Sequence, residues 1–275
     1  MKFKIMAILC SLLLLFTTAC SAGNKSHSPG NDIMENASPT TTALTLYKYD
    51  GKTVTYYRMF NNPQEQEILD TIKKVDVVEN NTWNLDQIKY PMYGLEIGGQ
   101  DGFTVFGAWS NGYWITPDGE AYQFDFDFQK FEKDYKWDTE ELFPHIGIFP
   151  CIRHLCQNKN DWKQELMVPA EELAESPNVS METVQVKNAL ISVKVTNASD
   201  MPWEYGERYS LQVELNGNWY IIPPLPGNWG FILPLYELPA GESIENSYNI
   251  EMYGTLPAGT YRIVVENLTA EFEIN

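Results

Sequence analysis

The C-terminal third of this chain alternates apolar and polar residues one for one, and that pattern limits its folds more than any other feature. In Ile191-Ser192-Val193-Lys194-Val195-Thr196 every second side chain is apolar, and Leu211, Val213 and Leu215 repeat the pattern. Tyr261, Ile263 and Val265 make a third row; Ala270, Phe272 and Ile274 make a fourth. A period of two places one set of side chains on one face of a strand, so each segment predicts a half-buried strand and not a helix. Asn216-Gly217, Ala240-Gly241 and Ala258-Gly259 punctuate the rows as turns. Short alternating strands with turn signals between them, over about 100 residues, predict two packed sheets.

Three stretches carry a resemblance. "EYGERYSLQVELNGNWY", "LPAGESIENSYNIEMYGTLPAGTYRIV" and the terminal "AEFEI" resemble the bacterial immunoglobulin-like domains of exported proteins, over residues 180–275. Tyr205-Gly206, Trp219 and the run from Leu256 to Arg262 carry most of the likeness. The resemblance implies a β-sandwich in an extracytoplasmic setting and supplies no catalytic residues. Within it, Trp219 is expected to plug the core. Pro223-Pro224-Leu225-Pro226 cannot lie in a central strand, because proline lacks the ladder donor. That segment predicts a surface loop. Trp229 at its tip either stacks on a sugar or peptide or packs back over the sandwich rim.

Residues 43–167 read differently. Two apolar runs, Ala43 to Tyr49 and Thr53 to Arg58, flank Asp50-Gly51 and predict a hairpin. Asn62-Pro63-Gln64-Glu65 follows the pattern of a helix start, and Ile68 and Ile72 then fall on one helical face. Four strands come next, over 93–97, 103–109, 113–116 and 121–126, and a helix with Phe128, Phe131 and Tyr135 on one face. A meander of three or four strands covered by helices is the economical solution. The fold class is thus an α+β module, an antiparallel meander with helices, followed by an all-β immunoglobulin-like sandwich. "VPAEELAESPNVS" marks the boundary, with residues 168–179 as linker.

Candidate chemistry in this module is thin. Asp125 and Asp127 alternate with Phe124, Phe126 and Phe128, and paired carboxylates bind cations or exchange protons. The further oxygen ligands and glycine of a helix-loop-helix calcium loop are missing from the stretch, so a solvated strand face is the reading adopted. Cys151, His154 and Cys156 lie within six residues, with His145 nearby. On a helix, positions five apart stand about 8–9 Å apart and point about 140° away from each other. They then form no metal site, and the distance exceeds the ~7 Å reach of a disulfide. A helix from Pro150 therefore means two separate thiols, while a Cys151–Cys156 disulfide requires a helix that begins later; export favours oxidation. No nucleophile elbow, zinc-protease, phosphate-loop or dinucleotide motif is present. The expectation is a non-catalytic protein without metal or cofactor.

The N-terminus supplies an address. Met1-Lys2-Phe3-Lys4 leads into an apolar block from Ile5 to Phe16, shorter than the about 20 residues a spanning helix needs. Thr17-Thr18-Ala19-Cys20 then resembles a bacterial lipobox, with Thr17 where that family usually has leucine. The resemblance implies removal of residues 1–19 and a diacylglyceryl group on Cys20, since two acyl chains anchor stably. Cleavage after Ala22 by ordinary signal peptidase is the alternative. Residues 20–42, rich in Ser, Gly, Asn, Pro and Thr, predict a disordered tether. The formal charge of −18 becomes −20 once Lys2 and Lys4 leave, which argues against nucleic acid as a partner. The functional expectation is a lipid-anchored display or binding protein outside the bacterial cell membrane, its protein or glycan ligand unspecified. A wall-associated carbohydrate-binding or hydrolase accessory, or an extracellular sensory module, is the alternative. Trp109, Trp114, Trp203 and Trp229 are the places where a sugar-binding groove would show.

Overall fold

The computed structural model describes residues 28–36, 41–60, 64–79, 83–99, 104–158, 160–227, 229–232 and 234–275. Helix α1 (Pro29–Asn36) leads into a hairpin of β1 (Thr41–Tyr49) and β2 (Val54–Phe60). Helix α2 (Gln64–Ile72) and β3 (Val77–Glu79) follow. A meander of β4 (Met92–Gly99), β5 (Thr104–Ser110), β6 (Tyr113–Ile115) and β7 (Ala121–Phe124) precedes helix α3 (Phe128–Asp134) and β8 (Thr139–Phe143). These eight strands form one sheet in the order β3-β7-β6-β5-β4-β1-β2-β8. It is wider than the meander predicted from sequence because β1 pairs with β4, setting Leu44 opposite Ile97 and Leu46 opposite Leu95. The hairpin turn is as expected: Asp50 Oδ1 accepts from the N–H groups of Lys52 and Thr53, and Gly51 takes φ +101°.

Both faces of this sheet are apolar and both are covered. Leu44, Leu46, Met59, Leu95 and Ile97 pack beneath α1, α2 and α3. Helix α1 corrects the expectation of a disordered tether over 20–42. Its Ile33 is buried, the Ser28 carbonyl and hydroxyl receive the N–H groups of Asp32 and Asn31, and Gly30 lies against the carbonyl of Ile72. One apolar residue suffices here because α2 already offers a surface; composition alone does not reveal that. The signal segment 1–19, Cys20 and residues 21–27 lie outside the described residues.

The other face, with Tyr47, Tyr49, Val54, Met92 and Ala108, is covered by the irregular stretch 144–167. This stretch holds 3-10 turns at Ile146–Ile148 and Gln164–Leu166, helix α4 (Ile152–Cys156), and the small pair β9 (Gln157–Asn158) and β10 (Asp161–Trp162). The remaining strands are β11 (Val168–Pro169), β12 (Val179–Lys187), β13 (Leu190–Asn197), β14 (Trp203–Tyr205) and β15 (Tyr209–Leu215). They continue as β16 (Asn218–Ile221), β17 (Tyr236–Leu238), β18 (Ser243–Asn249), β19 (Gly259–Val265) and β20 (Leu268–Ile274). A five-stranded sheet, β11-β16-β15-β19-β20, packs on the three-stranded β12-β13-β18, and β14-β17 form a separate ribbon.

The core rows are those the alternation marks: Ile191, Val193, Val195, Leu211, Val213, Tyr261, Ile263 and Val265 are all at most 1% exposed. Trp219 is a correction. It stands half-buried on the outer face, with the Arg262 guanidinium 4.3 Å from its ring centroid. Tyr261 fills the central position instead. The start of the expected linker also differs, since Val168 and Pro169 pair with Ile221 and Tyr220 and extend the sandwich sheet.

Candidate functional site

The stretch 144–167 joins the two modules. Pro150 lies so close to the N-terminal sheet that a Cβ on Gly94 would stand 2.6 Å from its Cδ, so only glycine fits beneath it. Cys151 then takes a left-handed φ of 57° and turns the chain into α4. Gly119, at φ +86°, leaves room for the ring of His154, whose Nε2 meets the Pro117 carbonyl at 2.7 Å. On the far side Arg153, 3% exposed, reaches the sandwich. Its Nη2 donates to the carbonyls of Tyr253 (2.7 Å) and Thr255 (3.4 Å), and its guanidinium lies 4.7 Å from the Trp162 ring centroid. Trp162 Nε1 donates in turn to Tyr261 Oη (3.2 Å), and that hydroxyl donates to the Pro257 carbonyl (2.5 Å). A buried charge away from solvent is costly unless its donors are met; here two carbonyl oxygens at Nη2 and an indole face meet part of that demand, and the buried Nε has no hydrogen-bond partner among the described residues. One hydrophobic core runs without a break from Tyr47 and Phe149 to Tyr261 and Phe272.

Where the joining stretch passes the sandwich it leaves a cleft of about 790 Å³. One wall comes from Ile148 and Ile152, another from Leu166 to Leu173, and a third from β15, β16 and the loop beginning Pro223-Pro224. Tyr209 stands over it, ring to ring with Phe231 at 5.1 Å, its hydroxyl donating to the Asn249 carbonyl. Burial raises the Tyr209 and Tyr253 phenols above their ordinary range, Tyr253 to about 12, so both stay neutral. His145 opens the first 3-10 turn: its Nδ1 accepts from the Gly147 N–H at 3.2 Å, which puts the neutral ring's proton on Nε2. Pockets of this volume with apolar walls and a few polar groups are the usual form of small-molecule sites.

The residues singled out by sequence are scattered. Cys151 and Cys156 are free, buried thiols in place of the disulfide alternative, although helix α4 begins later than Pro150: Cys151 stands before it in the left-handed region and Cys156 is its last residue. Burial pushes both thiols up, Cys156 to about 12 against the opposing pull of Arg153, so neither is a reactive thiolate. Among the described residues no group of three or more metal-ligating side chains converges. Asp127 is the N-cap of α3, accepting from Lys130 N at 2.9 Å, and Asp125 is exposed beyond the end of β7. Trp114 is buried, and Trp109 donates to the Phe124 carbonyl beneath α3. Trp203 stacks on Tyr205 at 4.9 Å. Trp229 is 49% exposed, yet its Nε1 donates to Leu225 O (2.7 Å) and its ring covers Gly227, so it folds back on its own loop. These tryptophans line no common groove. Sequence reasoning missed Arg153, Tyr209 and Arg208 although they lie in stretches it singled out, between Cys151 and Cys156 and in "EYGERYSLQVELNGNWY"; only the docking of the two modules gives them a shared setting.

Carboxylate chemistry concentrates at Glu132 on α3. Its Oε1 accepts from Lys48 Nζ (2.8 Å) and Tyr57 Oη (2.7 Å), and its Oε2 from Tyr93 Oη (2.9 Å). Burial alone would raise this carboxyl, but the three donors outweigh it and hold it below the ordinary range. The group clamps α3 to β1, β2 and β4.

Searches of curated proteins and of solved structures return no match. A family model described as a bacterial Ig-like domain matches residues 174–273, just over a third of the chain. Its span covers β12 through β19 and nearly all of β20, and so the C-terminal module is immunoglobulin-like in sequence as well as in fold.

Proposed function

We propose that this chain is a non-catalytic, lipid-anchored protein of the bacterial cell surface that binds its ligand in the cleft between its modules. An immunoglobulin-like domain points to a surface or extracellular module for binding or display; the lipobox-like Thr17 to Cys20 supports the anchor. The observation that carries the binding reading is the cleft itself, walled by residues of both modules. A non-catalytic role is supported by the buried reactive groups outside the cleft lining, since His154, Arg153 and the two thiols are all held in packing. The anchor is tested by Cys20→Ser, which should release the protein into the medium; retention on cells opposes it. Binding is tested by a thermal-shift screen of wild type against Ile148→Trp, which fills the cleft from the N-terminal side. A ligand that stabilises only the wild type supports the reading, while equal stabilisation of both moves binding elsewhere.

A second reading, a glycan-binding accessory of the cell wall, has one observation in its favour. On β2 the Arg58 guanidinium lies 5.0 Å from the ring centroids of both Tyr56 and Phe60, beside Phe143, in an open groove of about 370 Å³. Loss of a glycan-array signal in Phe60→Ala would favour it, and no signal for wild type would remove it.

A further inference from the structure

The cleft's walls and its mouth differ in chemistry. Its depth is aliphatic: Ile148, Ile152, Leu166, Val168, Ile222 and Met252. The aromatic rings that line it pack at steep angles to one another, Tyr209 against Phe231 at 76° and against Tyr253 at 57°, so they form no coplanar platform for stacking a sugar. The apolar surface continues outward along the Pro223 to Tyr236 loop, where Trp229, Ile232 and Leu235 are 49%, 67% and 70% exposed. Walls of this kind suit a flexible saturated chain better than a flat or hydroxylated ligand.

The unspent polar capacity is mostly donor capacity. Arg208, exposed at the mouth, makes no ion pair among the described residues, on a chain with 37 acidic and 19 basic side chains. His145 presents its Nε2–H. Gln212 has its Oε1 engaged by Arg262 Nε at 2.7 Å, which leaves its amide N–H groups for the cleft. Of the two carboxylates at the rim, Glu266 accepts from the Gly206 N–H and Glu171 is exposed; against the single Arg208 they leave the lining with one negative charge in excess, so an anionic head is held only in direct contact with Arg208 and each further charge on it adds repulsion. A head group with a single negative charge meets both conditions. A doubly charged phosphate does not.

We propose that the cleft binds an amphiphile with a linear aliphatic body and a singly charged anionic head, the carboxylate of a fatty acid being the simplest case, with Arg208 as its counter-charge. This rests on the cleft being the binding site. The test uses the Cys20→Ser protein, free of its own acyl chains, titrated calorimetrically with saturated fatty acids of eight to sixteen carbons and with the matching primary alcohols, all below their micelle concentrations. Affinity should rise by up to about fourfold per added methylene until the cleft is full. Each acid should bind about tenfold more tightly than its alcohol, and Arg208→Ala should abolish that difference while leaving the alcohol unchanged. Acid and alcohol binding equally well to wild type would overturn the head-group assignment. Ile148→Trp and Ile221→Trp, which enter the cleft from opposite walls, should each remove acid binding with the near-ultraviolet circular dichroism intact. If no acid binds but another screened compound is lost in these variants, the ligand class is wrong and the cleft reading stands. If acids bind both variants as well as they bind wild type, the cleft reading itself fails.

Discussion

The two faces of the eight-stranded sheet are closed by different means. On one, three helices cover Leu44, Leu46 and Leu95, α2 and α3 from within the N-terminal module and α1 from the stretch just before it. On the other, a stretch with little regular structure fills the space, and its own far side is closed by the immunoglobulin-like sandwich. The first face is self-sufficient, while the second is finished only when the other module docks. What looks like two beads on a string is one packed body, and its cleft is a product of the seam.

The comparison can be broken at the seam first. Phe149 packs edge-on to Tyr47 and Tyr49 at 6.4 Å from each and is almost fully buried. Phe149→Ala should cost about 4 kcal/mol in urea unfolding, as a core aromatic does; a loss under about 1 kcal/mol would mean the seam is not packed like a core. Arg153→Met keeps an unbranched apolar stem but removes the guanidinium from Trp162 and strands the carbonyls of Tyr253 and Thr255. Its expected cost is about 3 kcal/mol, with faster proteolysis in 168–179, because buried acceptors lose a charged donor. An unchanged cleavage rate would show that Arg153 does not hold the modules together.

The helix face is probed by Glu132→Gln, with an expected loss of about 2 kcal/mol at neutral pH, since a carboxylate with three donors becomes a neutral amide. The sign with pH follows from its depressed value in the folded state. The stabilisation is complete above the ordinary carboxyl value of 4.5 and is lost as the pH falls through the lower folded one. The difference between wild type and variant, followed by unfolding at several pH values, should therefore shrink in acid; a gap constant down to the folded value would contradict the network. Trp229→Ala should be the smallest effect, within about 0.5 kcal/mol, because its ring covers only its own loop and solvent. A larger loss would place that loop in the core.

Legibility follows the same division. Period-two alternation marks the sandwich interior because Ile191, Val193 and Val195 truly alternate between core and solvent. The amphipathic spacing of Ile68 and Ile72, and of Phe128 and Phe131, likewise finds α2 and α3. Helix α1 escapes composition because it buries one isoleucine against a neighbour formed elsewhere in the chain. The seam escapes because its contacts join residues about a hundred positions apart, as Arg153 meets Tyr253, and no local period encodes such a meeting. Trp219 shows the converse: its size predicts a core position, and it stands on the outer face against the Arg262 guanidinium. The cleft was invisible for the reason the seam was.

The most direct test of the account measures the distance between the modules. Spin labels at Glu140→Cys on β8 and Glu245→Cys on β18, both exposed, can be placed in a Cys10→Ser, Cys20→Ser background, where the buried Cys151 and Cys156 thiols should stay unlabelled. Double electron–electron resonance should give one narrow distance distribution, the same with and without ligand. A broad or multimodal distribution would mean that the modules move independently, and the cleft between them would then be no fixed site.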